Sequence, residues 1–142
     1  MIRLALFIAL LTFTLCMRSG PAVAQSAGEY DLVVYGGTAG GTVAAVAAAN
    51  AGLKTALLEP RRHIGGMVSG GLGATDFANK NVIGGMSREF FQRLGKHYGE
   101  EISWYFEPHV AEQVFRDWLK RAKVEVFFDH RVASEIGRAS CR

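Results

Sequence analysis

Cysteine is nearly missing from this chain of 142 residues: there are two, Cys16 and Cys141, one near each end. The body of the sequence therefore has no disulfide, no cysteine metal site and no redox dithiol. A metal-binding histidine pattern is missing as well. His63, His97, His109 and His130 stand too far apart for ligand spacing, and each reads as a surface or loop residue. An apolar run long enough to span a membrane is also lacking. The longest, Leu4 to Leu15, falls short of the ~20 residues that a spanning helix needs.

The two ends read as separate from the fold. Residues 1–24 form a leader: Arg3 is the only charge before the apolar run, and Ala22-Val23-Ala24 offers the small residues that signal peptidase reads. Leu15 is too bulky for Cys16 to make a lipoprotein signal, and no Arg-Arg pair precedes the run. Export with no stable membrane anchor is the expectation. At the other end, Ile136 to Arg142 matches one reading frame of a common sequencing adapter, so residues 136–142 are expected to be a scar. Setting these ends aside removes Arg3, Arg18, Arg138 and Arg142 and no acids. The formal charge of +3 less four gives −1 for residues 25–135. The basic balance of the whole chain thus implies no nucleic-acid partner. About 110 residues remain, enough for the core of one small domain.

What is present is an organised stretch from Asp31 to Glu59. Asp31 to Tyr35 is a short run of β-favouring residues. Gly36 to Gly41 is glycine-rich. Thr42 to Ala51 is uncharged and rich in Ala and Val, and Gly52 stands where a helix-ending glycine belongs. Thr55 to Leu58 is a second apolar run, closed by Glu59. The pattern predicts strand, turn, helix and parallel strand joined by a right-handed crossover.

A helix starting near Ala39 aims its unpaired N–H groups and positive dipole end toward the strand tips, a ready site for a pyrophosphate. Gly36 allows the tight turn, and Gly41 lets the helix approach the sheet. Glu59 belongs at the tip of the second strand, where an acid accepts hydrogen bonds from ribose hydroxyls. Thr38 replaces the middle glycine of G-x-G-x-x-G. It is small, and its hydroxyl can donate to a phosphate. Because Gly40 and Gly41 adjoin, the register of the third glycine stays open.

The segments YDLVVYGGTAGGTVAAVAAANAG…LLEP, HIGGMVSGGLGATDF and WYFEPHVAEQVF resemble the N-terminal part of FAD-dependent oxidoreductases of the fumarate-reductase and glutathione-reductase type. The nearest likeness is to the bacterial FAD-dependent oxidoreductase family whose first turn reads G-G-T-P-A-G. Here Ala39-Gly40 replaces its Pro-Ala, which removes a helix-starting proline. The resemblance runs from about Tyr30 to Val132 and has no counterpart for the family's middle and C-terminal parts. It implies an α/β, Rossmann-like, three-layer parallel sheet of the FAD/NAD(P)-binding type, truncated, with residues 25–135 as the N-terminal part of the FAD-binding domain. It implies FAD as cofactor. Gly36, Gly37, Thr38, Ala39, Gly40 and Gly41 would hold the pyrophosphate end. Glu59, Pro60 and Arg61 would line the adenosine side. Gly65, Gly66 and Met67 would pass the pyrophosphate and ribityl chain, and Ser69 to Gly73 would approach the isoalloxazine. The surroundings of His63 do not match the family's covalent flavin-attachment motif, so His63 is a loop residue.

The rest of the chain fits around this unit. Pro60 to Gly85 is a long glycine-rich loop, and loops of that length in compact domains are usually functional. It suits an extended FAD better than a plain nicotinamide fold, where a helix tends to follow the acid sooner. Met86, Phe90, Leu94 and Tyr98 recur every four residues and predict a helix, with Phe91 widening its face and Gly95 a tolerable cost. This stripe reads as core. Pro108 starts another helix with Val110, Ala111, Val114, Phe115, Trp118, Leu119 and Ala122 as its stripe. Glu107 and His109 read as solvated helix-start residues. Val124 to Phe128 adds a third parallel strand. The expectation is an exported FAD-dependent oxidoreductase represented by its N-terminal fragment, with a small-molecule substrate that the sequence does not name and no catalytic residue identified. The alternatives are an NAD(P)-dependent dehydrogenase domain and a redox-neutral exported flavin-binding protein acting on polysaccharide.

Overall fold

A computed structural model describes residues 29–76 and 79–132 of the chain. The leader and the adapter-like tail lie outside these residues. Leu32–Tyr35 form β1, Ala39–Asn50 form α1 and Thr55–Glu59 form β2. A short 3-10 turn at Lys80–Val82 precedes α2, Gly85–Tyr98, and α3, Pro108–Arg121. Glu125–Phe128 form β3. The strands make one parallel sheet in the order β1-β2-β3. The third strand thus joins at the β2 edge, after a connection that runs through α2 and α3.

Helix α1 is nearly uniform in Ala and Val, so its ends rather than a stripe mark its limits. Thr38 caps the start: its hydroxyl accepts from the Gly41 amide at 3.1 Å. At the far end the Gly52 amide donates to the Ala49 carbonyl at 3.0 Å and the Leu53 amide to the Ala48 carbonyl at 3.2 Å. Gly52 has φ +92°, the left-handed conformation this motif requires.

The two stripes predicted for α2 and α3 are core. Phe90 and Leu94 of α2 and Val110, Ala111, Phe115, Trp118 and Leu119 of α3 are buried together with Ala45 and Val46 of α1 and Leu57 of β2. Phe90 and Phe115 stack at 4.6 Å between centroids. Each such side chain contributes roughly 1.5–3 kcal/mol on leaving water. Gly95 departs from the sequence expectation of a tolerated cost. A Cβ there would lie 2.7 Å from the Ile102 amide nitrogen and 2.8 Å from the Glu100 carbonyl oxygen, because the chain leaving α2 folds back over it. Glycine is required at that position.

The strand register sorts the sheet into two faces. Val34, Leu57 and Val126 stand side by side and meet the helices. The opposite face carries the rows Val33–Ala56–Glu125 and Tyr35–Leu58–Phe127, and among the described residues no helix covers it. Val33 is 50% exposed and Tyr35 47%. The described residues thus supply the sheet and one helical layer of this α/β, Rossmann-like arrangement, and the outer edge of β1 has no strand partner among them.

Candidate functional site

The strand tips, the start of α1 and the glycine-rich loop meet at one crevice. Gly36, at φ +100°, turns the chain out of β1. A Cβ on Gly41 would lie 2.0 Å from the Gly36 carbonyl oxygen, whereas one on Gly40 would meet nothing within 4 Å. The open register is therefore settled: Gly41 is the glycine that the close approach of helix and turn requires. The Gly41 and Thr42 amides are satisfied by Thr38, through its hydroxyl and its carbonyl. The Ala39 and Gly40 amides, at the first turn, have no intrahelical partner and are free to meet an anion.

Glu59 closes the other side. Its side chain is turned back into the crevice: Oε2 accepts from the buried Gly37 amide at 2.6 Å and Oε1 from the Arg61 amide at 2.8 Å. The residue is 8% exposed. Two amides hold the carboxylate in place, yet each oxygen keeps acceptor capacity for a ligand hydroxyl.

The loop after β2 is fastened to the turn. The Gly65 amide donates to the Gly37 carbonyl at 2.7 Å, and Thr38 and Gly65 form a parallel bridge. Gly65 has φ +106°, and a Cβ there would lie 2.8 Å from the Phe115 ring. Ile64 beside it is 1% exposed. This part of the loop is packed structure rather than a loose excursion. Beyond it, the Ala74–Tyr105 bridge ties the loop to the stretch before α3.

The crevice has a volume of about 710 Å³ and is lined by Gly37, Thr38, Glu59, Arg61, His63, Gly66, Met67, Ser69 and Gly70. Six residues predicted from sequence as cofactor contacts, Gly37, Thr38, Glu59, Arg61, Gly66 and Met67, are brought together here. Gly36, Gly41 and Gly65 lie behind the wall and set its shape. Pro60 is half-buried and does not line it. Ala39 and Gly40 face a second, apolar cavity of about 370 Å³ between α1, the loop and Phe90, Phe91, Phe106 and Phe115. Of the segment read as nearing the flavin ring, Leu72 opens onto that cavity, as does Val68 just before it, and Ser69 and Gly70 open onto the crevice.

Sequence reasoning passed over Glu112. It lies on α3, 49 residues beyond His63, and its Oε2 is 3.0 Å from His63 Nδ1. Its Oε1 accepts from Arg116 at 2.9 and 2.6 Å. Burial pushes the Glu112 carboxyl up, but the hydrogen bonds from His63 and Arg116, the Arg116 charge and the Ile64 amide together hold it below the usual carboxylate range. The one local signal was the four-residue spacing of Glu112 and Arg116, which predicts that pair but not its third member. Glu107, read as a solvated helix-start residue, is exposed but accepts a hydrogen bond from the Tyr98 hydroxyl. His109 is exposed, as expected for a helix start. Among the described residues no cluster of His, Cys, Asp and Glu could hold a metal ion, and no helix is long and apolar enough to cross a membrane.

Comparison with known proteins adds the following. A family model described as "FAD dependent oxidoreductase" matches residues 31–139. The chain is 45% identical over 53 residues to a leghemoglobin reductase of Glycine max, a match over 37% of this chain and 10% of the relative. It thus spans about a tenth of the length of the curated relative it matches. Among solved structures, THI4 of Thermovibrio ammonificans is similar at TM-score 0.47 and 20% identity, over 89% of this chain and 45% of that one. A closed cyclohexanone monooxygenase is similar at TM-score 0.45 and 19% identity, over 70% and 19% of the two chains. At such TM-scores the likeness carries no weight, and the fold rests on the strand order and connections described above.

Proposed function

Because the chain belongs to the FAD-dependent oxidoreductase family, whose cofactor is FAD, we propose that the crevice at the start of α1 holds the ADP half of that flavin and serves an exported oxidoreductase. The observation that carries this reading is the Glu59 carboxylate, turned back over the Gly37 amide at 2.6 Å beside the open first turn of α1. An acid and a helix start on one crevice suit the two kinds of group in an adenosine diphosphate: sugar hydroxyls for the acid and a diphosphate for the helix start.

The residues divide the work. Thr38, which lines the crevice at the start of α1, meets the diphosphate. Glu59 accepts from the ribose hydroxyls and, already fixed by two amides, needs little reordering to do so. Gly66 has φ +57°, a conformation that glycine adopts most readily, and lines the crevice together with Glu59 and Thr38. FAD, when bound, supplies the electron or hydride chemistry, and the chain supplies its position. The leader at residues 1–24 supports export. The small share of the curated relative that is matched supports a reading in which the substrate-binding part lies outside this chain.

The test is direct. The purified chain should bind FAD, with flavin absorbance co-eluting with protein, and excess ADP should displace it. Glu59→Ala should weaken that binding by about ten-fold or more, the scale of a lost charge-assisted hydrogen bond. A chain that folds yet takes up neither FAD nor ADP overturns the proposal.

A further inference from the structure

His63 stands on the lip of the crevice with its side chain 80% exposed, but it is held in place. Its Nδ1 lies 3.0 Å from Glu112 Oε2, and the Glu112 side chain is 15% exposed. Arg116, bound to the other Glu112 oxygen, also donates to the Arg62 carbonyl at 2.8 Å, so α3 grips the loop on both sides of His63. An ionised carboxylate only accepts hydrogen bonds, so the proton of the imidazole is on Nδ1. Nε2 is left without a protein partner among the described residues.

The charges around this ring balance. Glu59 faces it from the tip of β2, Arg61 and Arg62 from its own loop, Glu112 and Arg116 from α3, and Asp129 from the end of β3 through Arg62 at 2.8 Å. That is three carboxylates and three guanidinium groups. His130 packs its ring on Phe127, on the other face of the sheet. A neutral imidazole with its proton on Nδ1 offers only an acceptor at Nε2, which repels a phosphate oxygen. An imidazolium donates at both nitrogens, to Glu112 on one side and to phosphate on the other, and such charge-assisted bonds are the strong ones.

We propose that His63 is a ligand-binding residue whose protonation from solvent accompanies entry of a diphosphate into the crevice, and that Glu112 is the residue positioning it. This rests on the dinucleotide reading above and extends it: binding of the cofactor's diphosphate is coupled to proton uptake.

The experiment is calorimetric titration of ADP into the full chain near neutral pH, in buffers of different ionisation enthalpy. The wild type should take up a fraction of a proton on binding. His63→Ala should abolish that uptake and weaken ADP by roughly ten-fold, with adenosine affinity changed less than about two-fold. His63→Gln, a neutral donor, should regain part of the affinity but none of the uptake. Glu112→Leu, which leaves no acceptor for Nδ1–H, should erase the Nδ1–H preference of His63 seen by 15N NMR. If Glu112→Leu fails to fold, the exposed His63 variants decide alone. Uptake that persists in His63→Ala, unchanged ADP affinity, or equal loss for adenosine overturns this inference and leaves the dinucleotide reading standing. A wild type that binds no ADP overturns both.

Discussion

Glu59 and Gly37 are joined by a 2.6 Å hydrogen bond from amide to carboxylate, which ties the tip of β2 to the turn that leaves β1. The same bond has a structural and a functional consequence. Glu59→Gln keeps the shape but sets an amide group against one of two backbone donors. It should lower stability by about 1–3 kcal/mol, the cost of a buried donor left unpaired, and weaken nucleotide binding with it. Chemical denaturation and FAD titration of the same preparation check the two effects together.

The neighbouring glycines of α1 should behave oppositely. Gly41→Ala drives a methyl to 2.0 Å from the Gly36 carbonyl oxygen and should cost about 1–3 kcal/mol through forced backbone shifts. Gly40→Ala meets nothing within 4 Å and should gain up to about 1 kcal/mol from helix propensity. Thermal melts of the two variants give the comparison. Equal effects would contradict the assignment of Gly41 as the glycine of close approach.

Thr42 is fully buried in α1, and its hydroxyl has no hydrogen-bond partner among the described residues. Thr42→Val replaces that hydroxyl with a methyl of similar shape. It should be neutral or stabilising by about 1 kcal/mol, measured as a shift in the denaturation midpoint at unchanged slope. A loss of more than that would mean the hydroxyl has a partner that the packing does not reveal.

Glu112 predicts an acid limb. Its folded-state pKa is lowered from 4.5, with burial opposing and the His63 and Arg116 bonds prevailing. The stability this contributes is present above the unfolded value and is lost as pH falls through the folded one. The melting temperature of the wild type should therefore decline below about pH 4.5, and the gap between wild type and Glu112→Gln should narrow over the same range. A gap that stays constant down to pH 3 would contradict the assignment.

Much of this architecture was legible in the sequence because local signals carried it. The apolar runs of β1 and β2, the end of α1 at Gly52, and the four-residue recurrence from Met86 to Tyr98 each depend on neighbours along the chain. Contacts between distant segments were not legible. Nothing near His63 announces Glu112, and nothing in α2 announces that residues 100–102 will cross Gly95. The choice between Gly40 and Gly41 depended on where the Gly36 carbonyl points, which only the turn geometry fixes. The crevice was legible in part: its acid and glycines followed a spacing, whereas its histidine needed the packing of α3.

The central claim is that this chain grips the adenosine diphosphate half of its flavin. Competing FAD, FMN and ADP for the purified chain, with binding followed by flavin fluorescence, tests it most directly. FAD should bind and ADP should displace it, while FMN, which lacks the adenosine half, should bind far more weakly than FAD. FMN binding as tightly as FAD, with no displacement by ADP, would contradict the account.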